Sequence, residues 1–170
     1  VADLSYTNPH MSPFDELQRL KLHPVIRPIL EGGKRLSYGA RAMTKGGLNS
    51  LPKLTFAGGV LVGDDAGFLN SAKIKGTHTA MKSGMLAGEA VFEAIKGGRC
   101  HDEVSEYQTA FENSWLYQDA YEARNFTPAL HRMGSWLGGS FSFVEQNLLG
   151  GKVPFTLSDN TPDFAKLENA

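Results

Sequence analysis

The feature that most constrains the fold is a helical pattern of unusually small residues between Gly76 and Lys96. Glycine and alanine recur along this segment and keep the predicted helix thin, so that a sheet or a ligand can approach it closely. Two glycines follow directly and end the helix, as glycine commonly does just past a C-terminus. The larger apolar residues form one stripe: Met81, Met85, Val91 or Phe92, and Ile95.

An acidic pair precedes this helix, at the end of a short apolar run. Glycine at Gly63 lets a ligand approach the backbone, and Asp64 can accept hydrogen bonds from a sugar or ribityl hydroxyl. Thirteen residues after Gly63 the helix opens with Gly76, and its free N–H groups favour an anionic or electron-rich ligand edge. A reduced flavin meets that requirement. In the simpler interpretation, the acidic pair begins a turn and the small-residue helix lies in the core.

Several other segments carry secondary-structure signals. Residues 12–23 predict a helix, with Ser12 as N-cap and proline directly after it. A weak alternation over residues 36–43 predicts a strand. The apolar runs 54–56 and 60–62 predict either a hairpin or one interrupted strand.

A further helix is predicted from about Asp102 to Asn125, because apolar residues recur at helical spacing throughout it. Acidic residues populate its other face, which is typical of a helix with one side in solvent. The residues expected on the buried face are Val104, Tyr107, Phe111, Trp115, and Gln118 or Tyr121.

Residues 133–151 combine large aromatic side chains with many small residues and contain no lysine or arginine. Two interpretations fit this composition. The segment is either a buried helix and turn, with Gly138 and Gly139 at a packing point, or it lies in a membrane interface with its aromatic side chains inserted. The aromatic residues concerned are Trp136, Phe141 and Phe143.

Composition argues against two classes of function. The 170-residue chain has 17 Lys and Arg against 18 Asp and Glu, and this net charge of -1 provides no general basic surface for nucleic acid. Its one cysteine, Cys100, cannot by itself build a cysteine-rich zinc or iron–sulfur site. The five histidines are scattered without metal-ligand spacing, so no metal site is expected.

Together these segments resemble one known family, electron transfer flavoprotein–ubiquinone oxidoreductase. The resemblance extends over nearly the whole chain and weakens after Pro154. The block IKGTHTAMKSGMLAGEA is its most specific part. The matching stretches are DLSYTNPHMSPFDELQRLKLHP, EGGKRLSYGARAMTKGGLNSLPKLTFAGG, GFLNSAKIKGTHTAMKSGMLAGEAVFEAI and FENSWLYQDAYEARNFTPALH.

The resemblance implies an α/β fold class, here as an α+β fragment of a glutathione-reductase-like FAD-binding fold with an inserted quinone-side sheet. It assigns residues 1–57 to the quinone or substrate-side domain and residues 58–125 to the second half of the FAD-binding domain. Residues 126–170 become the quinone- and membrane-facing region and the tail. The implied flavin-contacting residues are Gly63, Asp64, Asn70, Gly76, Thr77 and Thr79, and the implied quinone or membrane residues are Trp136, Phe141 and Phe143.

The implied reaction passes electrons from reduced electron transfer flavoprotein, through a [4Fe–4S] cluster and FAD, to ubiquinone. No residue of this chain is expected to be catalytic, because the protein would position the flavin and tune its potential. The implied location is peripheral, on a bacterial inner membrane or on the matrix face of the mitochondrial inner membrane. Electron transfer flavoprotein, ubiquinone and the membrane surface are the implied partners.

Two family motifs are absent from the chain. It contains neither the G-x-G-x-x-G that holds the FAD pyrophosphate nor the four cysteines of the cluster domain. We therefore expect an internal fragment that is inactive alone and holds FAD weakly or not at all. Two alternatives stay open, namely a related flavoprotein of the geranylgeranyl-reductase type and a non-catalytic module that binds a membrane or a partner.

Overall fold

The computed structural model describes residue 4 and residues 6–168. Helices predominate, and the described sheet is one short antiparallel pair. The elements are α1 (Pro13–Lys21), α2 (Arg27–Leu30), β1 (Thr55–Phe56), β2 (Gly59–Val60), α3 (Gly63–Ala66), α4 (Thr77–Lys96), α5 (Ser105–Glu112), α6 (Trp115–Glu122) and α7 (Phe126–Asn147), with 3₁₀ turns at Leu48–Ser50 and Asp163–Lys166.

The chain divides into two units. The first contains the described residues up to Arg41 and from Asn160 onward, and the second runs from Ala42 to Asp159. In the first unit, α1 confirms the predicted helix, with Ser12 at the N-cap position and proline at the first helical position. No residue of α1 is buried.

The strand predicted over residues 36–43 is wrong. The segment contains no regular secondary structure, and Leu36 is 91% exposed. A strand needs a neighbour to satisfy its backbone hydrogen bonds, and no described segment pairs with this one. Its alternation of apolar and small residues therefore does not act as a strand signal here.

The runs at 54–56 and 60–62 form a hairpin, which decides between the two predicted arrangements. Thr55 pairs with Val60 and Phe56 with Gly59, so the connection is only two residues long. Gly58 in that connection has φ of 79°, a backbone conformation that glycine adopts readily. The hairpin leads the chain directly to α3 and the acidic pair.

The core of the second unit lies between the hairpin, α3, α4, α5 and α6. Its central buried residues are Leu54, Ala66, Phe68, Leu86, Ala87, Tyr107, Phe111 and Leu116. The predicted helix over residues 76–96 is confirmed as α4, but its small residues provide most of the buried face. The apolar stripe from Met81 to Ile95 is exposed instead.

The single helix predicted over residues 102–125 is in fact two helices, α5 and α6. They are separated at Asn113 and Ser114, where the Ser114 hydroxyl accepts a hydrogen bond from the Leu116 N–H (3.2 Å) and caps α6. The break changes the helical phase, so Leu116 is buried at 1% exposure whereas Trp115 is 50% exposed. The predicted burial of Val104, Tyr107 and Phe111, before the break, is confirmed.

Helix α7 folds back sharply at Gly134, which has non-helical backbone angles of φ 72° and ψ 178°. The two halves pack so closely that a Cβ on Gly138 would lie 2.8 Å from the Ala129 carbonyl carbon and 2.9 Å from Leu130 Cα. Gly138 is thus the predicted packing point. Gly139 is not, because nothing lies within 4 Å of a Cβ built there.

A buried polar cluster holds the segment after α7 against its N-terminal end. The Arg124 guanidinium donates to the carbonyls of Gly151 (2.7 Å) and Val153 (2.6 Å). The Asn125 side chain donates to the carboxylate of Glu145 (2.6 Å) and accepts from the Leu157 N–H (2.7 Å). All three polar side chains of this cluster are buried, and Glu145 Oε2 is a buried oxygen for which the structure shows no hydrogen-bond donor among the described residues.

Candidate functional site

The acidic pair lies directly against the first turns of α4. Gly63 begins α3 with φ of 62°, and its N–H donates to the Ser83 hydroxyl at 2.9 Å. Ser83 is fully buried and donates in turn to the Ala80 carbonyl at 2.8 Å. A Cβ at Gly63 would lie 3.4 Å from the Ala80 Cβ, an ordinary contact distance, so it is the positive φ rather than the space that favours glycine here.

The Asp64 carboxylate lies over the start of α4. A Cβ on Gly76 would come within 2.7 Å of Asp64 Oδ1, so this position accommodates glycine and no larger residue without movement of the acid. Asp64 and Thr77 are both exposed. Gly76 is the N-cap residue and offers no side chain to cap the helix. An exposed carboxylate and the amide donors of a helix N-terminus therefore share one corner of the surface.

This corner combines two kinds of hydrogen-bonding group. The carboxylate of Asp64 accepts hydrogen bonds, and the first backbone N–H groups of α4 donate them. The same N–H groups carry the partial positive charge of the helix dipole. Such a corner suits a ligand that has hydroxyl groups on one part and an electron-rich carbonyl edge on another.

The other two predicted flavin-contacting residues are buried within the protein. Thr79 is 1% exposed, and its hydroxyl donates to the Gly76 carbonyl at 2.8 Å. Asn70 is 5% exposed, and its amide nitrogen donates to Asp119 at 2.7 Å while its amide oxygen accepts from the Lys73 N–H at 3.0 Å. The structure therefore brings Gly63, Asp64, Gly76 and Thr77 to one corner and places Asn70 and Thr79 behind it.

Sequence reasoning missed Asp119, which joins α6 to the loop before α4. Its carboxylate accepts hydrogen bonds from Asn70 and from the ammonium group of Lys73, and it lies 3.8 Å from His78 Nε2. Partial burial raises the pKa of Asp119, but the hydrogen bonds from Lys73 and Asn70 together outweigh that effect, and the net pKa lies below its ordinary value. In the sequence Asp119 is one of several acids on the predicted helix 102–125, and nothing in the pattern distinguishes it from the others.

His78 also stacks on Trp115, with ring centroids 6.0 Å apart and an interplanar angle of 4°. His78 lies in the first turn of α4, and Trp115 begins α6. The N-terminal end of α4 is thus fixed to α6 by an aromatic contact as well as through Asp119.

A cavity of about 340 Å³ lies at the other end of α4. Its walls are mainly apolar, with Val60, Val91 and Ile95 among them. The guanidinium of Arg99 at its edge is already paired with Asp102 and Glu106, so it is not available to bind an anion. Within residues 6–168 no three His, Cys, Asp or Glu side chains are grouped so that they could hold a metal ion.

The aromatic residues of α7 differ in their environments. Trp136 is 90% exposed and Phe143 is 65% exposed, so the interpretation that buries them in the core is wrong for both. Phe141 is half-buried and stacks on Phe155, with centroids 6.2 Å apart. The polar residues Ser142 and Glu145 occupy the buried face of the same helix. None of the described helices is both long enough and apolar enough to cross a bilayer.

Known proteins match this chain along its whole length. The family described as ETF-QO, ubiquinone-binding, matches residues 1–43. Electron transfer flavoprotein-ubiquinone oxidoreductase of Pseudomonas aeruginosa is 59% identical over 171 residues, covering 100% of this chain and 31% of that protein. The probable enzyme of Acinetobacter baylyi is 58% identical over 99% of this chain and 32% of its own length. The mitochondrial protein of Homo sapiens is 46% identical over 100% of this chain and 28% of its own length.

These relatives lie in both bacteria and mitochondria and carry the same name. The chain spans about a third of their length. The family resemblance drawn from the sequence is confirmed, because the matches cover the whole chain at high identity. Over its whole length, this chain is similar to one segment, about a third in length, of proteins named electron transfer flavoprotein-ubiquinone oxidoreductase.

Proposed function

We propose that this chain forms part of a flavin-dependent oxidoreductase that passes electrons from reduced electron transfer flavoprotein to ubiquinone. The relatives' name gives both the donor and the acceptor of this reaction. The match of residues 1–43 to a family described as ubiquinone-binding supports assigning the quinone side to this part of the chain. The observation that carries the proposal is the 59% identity over the entire chain.

The proposed fold is the FAD-binding type of glutathione reductase, with this chain supplying its second flavin-contacting segment. The corner at the start of α4 fits that role. Asp64 would accept hydrogen bonds from ribityl hydroxyls, while Gly76 leaves room for the acid and Thr77 offers a hydroxyl at the surface. The FAD itself supplies the capacity to accept and release electrons.

The residues of this chain would bind the flavin, orient it and tune its potential. The N–H groups at the start of α4 would stabilise negative charge on the ligand edge that faces them. Gly63 and Ser83 fix the acidic turn against α4, so that Asp64 does not have to be ordered when the ligand binds. Thr79 would stabilise the first turn of α4 from its buried side, because its hydroxyl donates a hydrogen bond to the Gly76 carbonyl.

The exposed face of α7 is the proposed membrane contact. Trp136, Leu137 and Phe143 expose apolar area on this helix, and residues 132–137 around its fold-back are all exposed. Aromatic side chains at a bilayer surface place their rings at the headgroup level. A peripheral attachment of this kind would bring the protein to a lipid-soluble quinone without a spanning helix.

The test of the flavin site uses the native gene product, that is, the polypeptide as its source encodes it. Asp64→Ala should weaken FAD binding by roughly 1.5–3 kcal/mol, the usual value of a hydrogen bond to a charged group. Asp65→Ala is the matched control, because Asp65 is the neighbouring exposed acid. Equal FAD affinity in both variants would remove Asp64 from the site, and a native product without flavin would refute the proposed function.

The membrane contact needs a separate measurement. Trp136→Ser should lower the fraction of protein that floats with liposomes, whereas Phe92→Ser, which removes an exposed aromatic residue on α4, should not. Equal flotation of both variants would contradict the assignment of α7. Lipid binding that persists in a flavin-free product without oxidoreductase activity would favour the binding-module alternative, which the exposed aromatic face also supports.

A further inference from the structure

We infer that Asp119 is a positioning residue for the proposed flavin site: it holds the loop between α3 and α4, and with it the first turn of α4, in one geometry. The inference rests on the proposed function. Asp119 lies on α6, within the region that the resemblance assigns to the FAD-binding domain, but it is not among the implied flavin-contacting residues.

The loop depends on this one carboxylate at two positions. Asn70 at its beginning donates to Asp119 at 2.7 Å, and the Lys73 ammonium group in its middle donates to the other carboxylate oxygen. The loop also closes on itself, since the backbones of Asn70 and Lys75 exchange hydrogen bonds of 3.1 and 3.4 Å. Removing Asp119 would therefore release both attachments of the loop to α6.

The carboxylate also reaches the helix that follows. His78 Nε2 lies 3.8 Å from Asp119, and its ring stacks on Trp115 one helical turn earlier on α6. Because His78 belongs to the first turn of α4, these two contacts hold that turn against α6. Asp119 thus connects the loop, the helix start and α6 through three side chains.

Asp119 is suited to positioning rather than to direct ligand contact. Its side chain is only 12% exposed, and both carboxylate oxygens already have partners within the protein. Its negative charge is balanced locally by Lys73, which is largely exposed. Removing the charge of Asp119 would make the region near the start of α4 more positive, and removing the charge of Lys73 would make it more negative.

The experiment compares Asp119→Asn and Lys73→Gln in the native gene product by measuring the midpoint potential of the bound flavin. Loss of a negative charge near the flavin should stabilise the reduced form and raise the potential, and loss of the positive charge should lower it. Asp119→Asn should also release FAD faster than the wild-type protein. Asp119→Glu should restore part of both properties, and Glu112→Gln, an exposed acid at the end of α5, is the control.

The outcomes separate three cases. Faster FAD release from Asp119→Asn that Asp119→Glu partly reverses, together with opposite shifts of potential and thermal unfolding midpoints close to wild type, supports the positioning role. A flavin potential that stays at the wild-type value in both variants, even if stability falls, would mean that Asp119 is only structural and overturns the inference. Should Asp119→Asn fail to fold, the exposed Lys73→Gln variant decides: a lower potential with faster FAD release supports the inference, and wild-type values of both overturn it. A native product that holds no flavin overturns the proposed function and this inference with it.

Discussion

Replacing Gly138 by alanine tests the close packing of α7 on itself. A Cβ there would lie 2.8 Å from the Ala129 carbonyl carbon and 2.9 Å from Leu130 Cα. Both are backbone atoms, so the two halves of the helix must move apart. Overpacking of this kind typically costs about 1–3 kcal/mol. Alanine also favours a helix by about 1 kcal/mol over glycine, which offsets part of that cost.

Gly139 provides the matched control, because it is the next residue of the same helix half and a Cβ there would meet nothing within 4 Å. Gly139→Ala should gain the helix preference without the clash, so its free energy of unfolding should rise by up to about 1 kcal/mol. The two variants should therefore differ by roughly 2 kcal/mol in favour of Gly139→Ala. With an m-value of about 2 kcal/mol/M, their urea midpoints would be separated by about 1 M.

The assay is equilibrium urea unfolding of both variants, followed by circular dichroism at helical wavelengths. Midpoints that coincide, or a Gly138→Ala variant that is more stable than Gly139→Ala, would refute the close contact and with it the folded-back geometry of α7.

Two further predictions concern buried polar groups. Arg124→Lys should lower the free energy of unfolding by about 2–4 kcal/mol, because lysine cannot donate to several carbonyls of the segment after α7 at once. The same change should speed proteolysis of that segment, and an unchanged cleavage rate would argue against the cluster. Burial raises the pKa of Tyr107 to about 12, so the stability from its neutral form is complete below about pH 10 and is lost as pH rises toward 12. Tyr107→Phe should flatten that alkaline decline in a urea series, whereas an equal decline in both proteins would contradict it.

The part of the site that could be predicted from sequence is the part that local chemistry decides. Glycine at Gly63 and Gly76 reflects a positive φ in one case and the space occupied by Asp64 in the other. The first requirement is local to one turn, and the second joins two residues of one short stretch of sequence, so the pattern records both. Asp119 could not be predicted, because its role comes from the packing of α6 against the loop that holds Asn70. A separation of 49 residues leaves no periodic signal.

The errors in the fold have the same physical origin. The break at Ser114 divides the predicted helix into two helices whose buried faces are not in register. The Ser114 hydroxyl caps α6 at this point, although apolar residues recur at helical spacing on both sides of it. The strand expected over residues 36–43 has the alternation of a strand and no described partner. Periodicity reports which residues share a face, but whether another element covers that face depends on the rest of the protein.

This distinction explains why the buried and exposed faces of α4 and α7 differ from those of an ordinary amphipathic helix. In both helices the buried face consists largely of small or polar residues, such as Ser83 in α4 and Glu145 in α7, and large apolar residues point outward. An isolated soluble domain would be expected to show the opposite, because burial of large apolar side chains provides most of its stability. The small residues allow the close approaches that position the Gly63 turn and the α7 fold-back. The outward apolar residues are then free for surfaces beyond the core, among them the proposed membrane contact at Trp136.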